Sequence, residues 1–360
     1  MAKRRLTVQQ KRRIEGRQQQ HGALQSKGDR VSDDSLEPPR EGLIVSNHGQ
    51  KLLVAELESD ADGVAHPVLD IARMYRCHAR SNLPPVVAGD RVVFQVERKP
   101  ASEKLTGVVS ALMERRSLLS RPDKFGRLKP VAANVDRICV VVAPLPEPHF
   151  NLTDRYIVAA ELSGAAPLII FNKADLVADD PSSRVHEMRE LYTSLGYDCI
   201  LVSAKSKTGT AELLALLDGT TAILCGQSGV GKSALAKLLI DDEEASEIAI
   251  GALSEAVIKG RHTTTAARLY RLRAGEGFLI DSPGVREFGL WHLEQTDLTH
   301  GFIEFRPFLG QCRFSDCSHT HEPDCAILKA LEDGHIDPRR WNSYRATADS
   351  LDMFEIRPEA

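Results

Sequence analysis

No apolar run in this 360-residue chain can cross a bilayer; the longest, such as Ile138 to Leu145, are far too short. The first residues are basic and polar and lack the apolar stretch of a secretory signal, so residence in the cytoplasm is the expectation. Cysteine is sparse: of seven, Cys77, Cys139, Cys199 and Cys225 stand alone, which is no disulfide framework. Neither charge sign dominates, with a net −4. What remains is an ordinary globular composition, 42% hydrophobic and 27% charged, with length for two or three domains.

That small net charge hides an asymmetry. Residues 1–30 carry nine Lys/Arg against only Glu15 and Asp29, together with Gln9, Gln10 and Gln18 to Gln20. Such a segment cannot bury a core, and it reads either as a solvated tail or as an arm on nucleic-acid phosphates. Ser32 to Glu41, with Pro38-Pro39, reads as a linker. Short β-rich runs follow at Leu43 to Val45, Lys51 to Leu57, Arg91 to Val96 and Thr106 to Val109, parted by turn signals at His48-Gly49, Asp62-Gly63 and Gly89-Asp90. A small oligonucleotide-binding (OB) barrel fits, as do other small β folds.

From about residue 130 the pattern alternates strand and helix, the signature of an α/β domain. Arg137 to Val142, Pro167 to Phe171, Cys199 to Val202, Ala222 to Cys225 and Gly277 to Ile280 read as strands, and each of the last four runs into a polar motif. Ligands of open α/β sheets bind at that edge. The single cysteines at 139, 199 and 225 lie inside these runs and read as core residues.

The motif Gly226-Gln227-Ser228-Gly229-Val230-Gly231-Lys232-Ser233, followed by Ala234 and a helical run, is a phosphate-binding loop. Its backbone N–H groups would cradle phosphates, Lys232 would reach the β and γ oxygens, and Ser233 would ligate Mg²⁺. Asn172-Lys173-Ala174-Asp175 supplies base choice. A carboxylate at Asp175 can accept from both guanine N1–H and the 2-amino group, for which adenine offers no counterpart. Asn172 can reach the Hoogsteen edge, the Lys173 stem can cover the ring, and in Ser203-Ala204-Lys205 the Ala204 N–H can donate to guanine O6. Asp281-Ser282-Pro283-Gly284 offers a carboxylate to the Mg²⁺ shell and an N–H to the γ-phosphate. Thr264, in Gly260-Arg-His-Thr-Thr-Thr265, would close over the ion.

Near the C-terminus, Cys312, Cys317, His319 and Cys325 gather three thiols and an imidazole within fourteen residues, the chemistry of a structural zinc site; His321 competes with His319. Arg339, Arg340, Trp341, Tyr344 and Arg345 mix basic and aromatic residues and read either as an RNA surface or as a solvated helix end.

The order of these motifs is rotated: N-K-x-D and S-A-K precede the phosphate loop, and T-T-T and D-S-P-G follow it. In this the chain resembles the circularly permuted GTPases, and within them the ribosome-small-subunit-dependent GTPase family, over roughly residues 40 to 345. The resemblance implies an N-terminal OB barrel, a circularly permuted P-loop GTPase domain and a small, mostly helical zinc-binding domain, with His319 preferred as the fourth ligand. It implies late maturation of the small ribosomal subunit, binding of its rRNA, and GTP hydrolysis to GDP stimulated by that subunit. The resulting division is 1–40 tail and linker, 41–118 OB domain, 119–289 GTPase domain and 290–360 zinc domain, in a monomer. The tail lies outside the shared pattern.

A water-orienting glutamine is missing after D-x-x-G, where Val285 stands. His262 is the candidate to position water, in line with the resemblance; alternatively it contacts RNA or nothing. Gly229 occupies the place where potassium-dependent GTPases carry asparagine, so potassium dependence through that ligand is not supported. Competing functional readings are a GTPase in another RNA process and a nucleotide-responsive scaffold on RNA.

Overall fold

The computed structural model describes residues 36–48, 51–59, 65–67, 73–98, 106–122, 127–240, 267–281 and 295–352. The basic tail, His262, Thr264, Gly284 and Val285 lie outside these residues.

Six strands come first: β1 (Arg40–His48), β2 (Lys51–Ser59), β3 (Ala65–Pro67), β4 (Met74–Ala79), β5 (Arg91–Val96) and β6 (Thr106–Leu112). Five of them close on themselves in the order β1-β2-β4-β6-β5-β1, with β4 and β6 parallel and the other pairs antiparallel. This is the closed Greek-key barrel of the OB type, a closure that leaves no free edge to aggregate. The strands alternate as half-buried strands do: Val92, Phe94 and Val96 of β5 point inward onto Ile44, Val54 and Val109. The expected linker is shorter than its composition implies. Leu36 is buried and bridges Glu97, and the Glu37 N–H donates to the Val96 carbonyl at 2.8 Å, so the barrel begins ahead of Pro38-Pro39.

A two-stranded hairpin, β7 (Leu118–Pro122) with β8 (Leu128–Ala133), leads from the barrel into the second sheet. That sheet contains β9 (Arg137–Val142), β10 (Ala166–Phe171), β11 (Asp198–Leu201), β12 (Thr221–Cys225), β13 (Arg268–Arg271) and β14 (Phe278–Asp281), in the order β11-β10-β9-β12-β14-β13. All neighbours are parallel except β13 and β14. Its central strands are apolar throughout because both faces are covered. Ile138, Val140 and Val142 face one core with α1 (Phe150–Ser163) and α2 (Arg184–Ser194). Cys139 and Val141 face the other, with α3 (Thr210–Leu217) and α4 (Lys232–Leu239). Cys139 and Cys225 are fully buried, and burial pushes the Cys139 thiol up to about 12, as befits core cysteines.

Barrel and nucleotide sheet are one hydrogen-bonded surface, because β1 also pairs antiparallel with β13, Ser46 opposite Arg268. Leu43 and Ala88 of the barrel are packed into the same core as Ile280 and Leu269. Asn134 ties the junction, donating from Nδ2 to the Gly89 carbonyl at 2.8 Å and accepting at Oδ1 from the Arg116 N–H at 2.9 Å.

The C-terminal region comprises α5 (Gln295–Gly301), a 3₁₀ turn over Ile303–Phe308, α6 (Ala326–Glu332) and α7 (Pro338–Asp352), with α7 lying along α1. Neither reading of the basic-aromatic segment survives for most of its residues. Arg340, Trp341 and Tyr344 are buried, and only Arg345 of the group is exposed. Arg340 Nη1 donates to Asp154 Oδ1 of α1 at 2.5 Å, its Nε donates to Glu304 Oε1 at 2.5 Å, and its guanidinium lies 4.5 Å from the Phe302 ring centre. Tyr192 of α2 donates to the same Asp154 oxygen at 2.6 Å. Burial opposes the charge on Arg340, yet Asp154 and Glu304 hold its pKa well above the ordinary value. Position explains the discrepancy: Arg340, Tyr344 and Thr347 recur at helical spacing on the face that meets α1. Among the described residues no helix is long and apolar enough to cross a membrane.

Candidate nucleotide site and metal cluster

Four motifs meet at one edge of the parallel sheet because four parallel strands end there. Asn172 to Asp175 follow β10, Ser203 to Lys205 lie just beyond β11, Gly226 to Gly231 join β12 to α4, and Asp281 closes β14. Register fixes their level, with Phe171 opposite both Val142 and Leu201, and Cys225 opposite Val140.

Side chains of the base motif brace the loops. Asn172 is buried; its Nδ2 donates to the Val230 carbonyl at 2.8 Å, and its Oδ1 accepts the Ala204 N–H at 3.1 Å. The sequence assigned both groups to the base, whereas here each also serves the frame that links three motifs. Lys173, in the left-handed region at φ 59°, stretches its ammonium to the Leu145 carbonyl at 2.7 Å and the Gly229 carbonyl at 2.8 Å. The stem therefore runs beside the phosphate loop. Asp175 is exposed, and Ser203 Oγ donates to its Oδ1 at 2.5 Å while accepting the Ser206 N–H at 3.1 Å. That contact fixes one carboxylate oxygen of an otherwise exposed residue. Lys205 is exposed beside it.

The phosphate loop is shaped by close approach. Gly231 has φ 100°, and a Cβ there would sit 2.3 Å from Asn172 Nδ2, so no other residue fits without breaking the brace. Gln227 is half-buried, Ser228 and Gly229 are exposed, and Val230 is buried beneath them. Lys232 Nζ rests on the carbonyls of Gly226 at 2.5 Å and Gln227 at 2.7 Å, at the loop's own mouth. Lys232, Ser233 and Asp281 line one cleft, which places a hydroxyl and a carboxylate together beside the ammonium; Ala234 follows in the first turn of α4. The N-terminus of α4 adds its dipole there.

The four sulfur and nitrogen ligands also converge. Cys312, Cys317, His319 and Cys325 place one ligand atom each within 4.8 Å of all the others. Zinc bonded at about 2.3 Å to sulfur and about 2.0–2.1 Å to nitrogen gives tetrahedral edges of about 3.8 Å and 3.6 Å. The observed separations are 3.9 Å between Cys312 Sγ and Cys325 Sγ, with His319 Nδ1 3.4 Å and 3.5 Å from those sulfurs. The donor set and its spacing fit zinc. His321 is exposed and directs Nδ1 to Thr320 Oγ1 at 2.8 Å, away from the cluster. Burial pushes the Cys317 thiol up to about 12 and lowers His319 below its usual value.

A family model of RsgA GTPases matches residues 112–291. The small ribosomal subunit biogenesis GTPase RsgA of Saccharophagus degradans is 45% identical over 99% of this chain and 100% of its own length. The protein of the same name from Azotobacter vinelandii is 47% identical over 98% of each chain. The chain belongs to the RsgA GTPase family. Two solved structures share its fold. YjeQ from Thermotoga maritima is 30% identical with a TM-score of 0.65, covering 87% of this chain and 99% of that one. YloQ, described as a circularly permuted GTPase, is 25% identical with a TM-score of 0.66, covering 89% and 98%. The RsgA-family chain is thus a GTP hydrolase built on a permuted nucleotide domain, with an OB barrel before it and a Cys/His cluster after it. Among the residues that this RsgA-family site uses, sequence reasoning missed the Leu145 carbonyl that anchors Lys173. A backbone acceptor leaves no residue-type signal.

Proposed function

We propose that this GTPase binds the small ribosomal subunit and its rRNA and acts in late maturation of that subunit in the cytoplasm, with hydrolysis stimulated by the subunit. One observation carries the reading: relatives 45% and 47% identical along nearly the whole chain bear the name of small ribosomal subunit biogenesis GTPases. The fold supports it, since an OB barrel, a common nucleic-acid platform, is joined directly to the nucleotide sheet.

Within this reading residues 41–118 bind RNA, 119–289 bind and hydrolyse GTP, and 290–360 form the zinc-binding domain of a monomer, with 1–40 as the basic tail. GTP and GDP are held by Asn172, Lys173 and Asp175, by Ser203 to Lys205 and by Gly226 to Ala234. Ser233, Thr264 and Asp281 would hold Mg²⁺, which neutralises charge developing on the phosphates. Lys232 binds the β and γ oxygens, the Gly284 N–H meets the γ-phosphate, and His262 positions the attacking water in place of the glutamine that Val285 replaces. Cys312, Cys317, His319 and Cys325 would hold zinc, whose role is to close the fold of the last domain.

GTP turnover by the full chain, measured with and without purified small subunits, tests the proposal. Stimulation of at least tenfold by small subunits, and none by large ones, is expected. Equal turnover in all three conditions would leave a nucleotide-responsive scaffold as the better description.

A further inference from the structure

We infer that Glu322 is the residue that preforms the metal cluster, by folding the loop between Cys317 and Cys325 around its own carboxylate. The inference rests on the zinc reading above.

The loop has no regular secondary structure between Ser318 and Asp324, so backbone ladders do not set its shape. Glu322 does so instead. Its Oε1 accepts the Ser318 N–H at 2.8 Å and also the Ser318 hydroxyl. Its Oε2 accepts the N–H groups of Thr320 at 3.0 Å and His321 at 3.2 Å. Four donors, three of them from the backbone, converge on one carboxylate, and they hold its carboxyl well below the usual range.

Those donors flank His319 on both sides. The chain between them passes through the left-handed region at His319, φ 60°, a conformation uncommon outside glycine that histidine adopts more readily than most residues. That turn carries the imidazole inward, 3.4 Å and 3.5 Å from the Cys312 and Cys325 sulfurs. The next histidine, His321, is left outside, bonded to Thr320. Glu322 is not one of the four clustered ligands. It acts on the metal only through the loop, and is a positioning residue. A site whose ligands are already gathered spends less of its binding free energy on ordering the chain.

Glu322→Gln keeps the size but swaps one acceptor oxygen for a donor NH₂ group that opposes backbone N–H donors. Ser318→Ala removes the hydroxyl contact to Glu322, together with the hydroxyl's 2.7 Å contact to Thr320 Oγ1, leaves the three backbone donors in place, and is the milder second variant. Zinc affinity of the full-length chains is measured by competition with a chromogenic chelator, and ligand geometry by the visible spectrum of Co²⁺ bound in place of zinc. Glu322→Gln is expected to weaken zinc by tenfold or more, in the range typical of outer-shell partners, and to alter the tetrahedral Co²⁺ spectrum. Ser318→Ala is expected to weaken it severalfold, and should Glu322→Gln not fold, this variant decides. Wild-type protein that binds one zinc while the variants stay within twofold of it, with unchanged spectra, overturns the role of Glu322 alone. Wild-type protein that takes up no stoichiometric zinc overturns the metal reading and this inference together.

Discussion

Arg268 stands directly opposite Asp281 across β13 and β14, and on its other side opposite Ser46 of the barrel. One cross-strand row thus runs from the carboxylate at the nucleotide edge to the OB barrel in two steps, each about 4.8 Å wide. The barrel is an extension of the catalytic sheet and shares its core through Leu43 and Ala88. Amides of Leu43 to Val45 and of Leu269 to Tyr270 should therefore exchange with solvent as one cooperative unit. Hydrogen-exchange mass spectrometry in rising denaturant checks this, and a barrel that opens well before β13 would speak against it.

The junction itself can be attacked at Gly89. Its φ is 88°, and a Cβ there would lie 2.1 Å from the Ala133 carbonyl oxygen. Gly89→Ala is expected to cost about 2 kcal/mol or more of stability in a urea titration, with both barrel and nucleotide domain shifted. A change below about 0.5 kcal/mol, the level of an ordinary surface substitution, would show that the two units are not tightly joined.

Arg340 joins the last helix to the nucleotide domain by charge. Removing it leaves Asp154 and Glu304 buried without their cation, and Arg340→Ala should cost about 3–5 kcal/mol. Replacing Arg340, Asp154 and Glu304 together by apolar residues of similar volume should recover much of that loss, because no buried charge is then left unpaired. A triple variant no more stable than the single one would contradict this account of the cluster.

Zinc loading should depend on pH with a definite sign. Thiols must lose protons to ligate, and burial holds the Cys317 thiol up to about 12. Protons are therefore released on binding at neutral pH, and affinity falls as pH is lowered. His319, lowered by burial, is already neutral near pH 7 and adds competition only below its usual range near 6.5. Chelator competition at pH 6, 7 and 8 should show affinity dropping by about tenfold or more per unit, as expected for at least one proton displaced. A flat profile would mean the thiols are not the ligands.

Asp175, to which Ser203 donates at 2.5 Å, is the residue proposed to choose the base. Asp175→Asn should weaken GTP by about 100-fold, the loss of a charge-assisted pair of hydrogen bonds worth about 1.5–3 kcal/mol each offset by the amide's remaining acceptor. It should favour xanthosine triphosphate, whose extra carbonyl accepts from the amide. Competition against a fluorescent nucleotide reads both affinities, and unchanged GTP binding would remove Asp175 from the pocket.

The parallel strands were legible because burial on both faces makes them continuous apolar runs, and their C-terminal ends carry the motifs. Strand β13 was not, since Arg-Leu-Tyr-Arg is four residues with polar ends and no turn signal of its own. The hairpin β7-β8 was hidden likewise, with Arg121 and Lys129 exposed along it. Composition misled at Arg339 to Arg345, where the informative signal was spacing: Arg340, Tyr344 and Thr347 mark a buried face. At the nucleotide edge the residue types were readable, and their mutual bracing was not, because Asn172 meets Val230 across 58 residues of sequence. Glu322 was overlooked for a related reason, since an acidic residue between metal ligands resembles any solvated loop charge.

Segments in rotated order meet at one sheet edge, and the pocket they form is proposed to select guanine. Titration calorimetry of the full chain with GDP and with ADP, in Mg²⁺, measures it directly. A preference for GDP of about 100-fold or more, as expected where two buried or charge-assisted hydrogen bonds are lost, is the predicted result. Equal affinity for the two nucleotides would contradict the account.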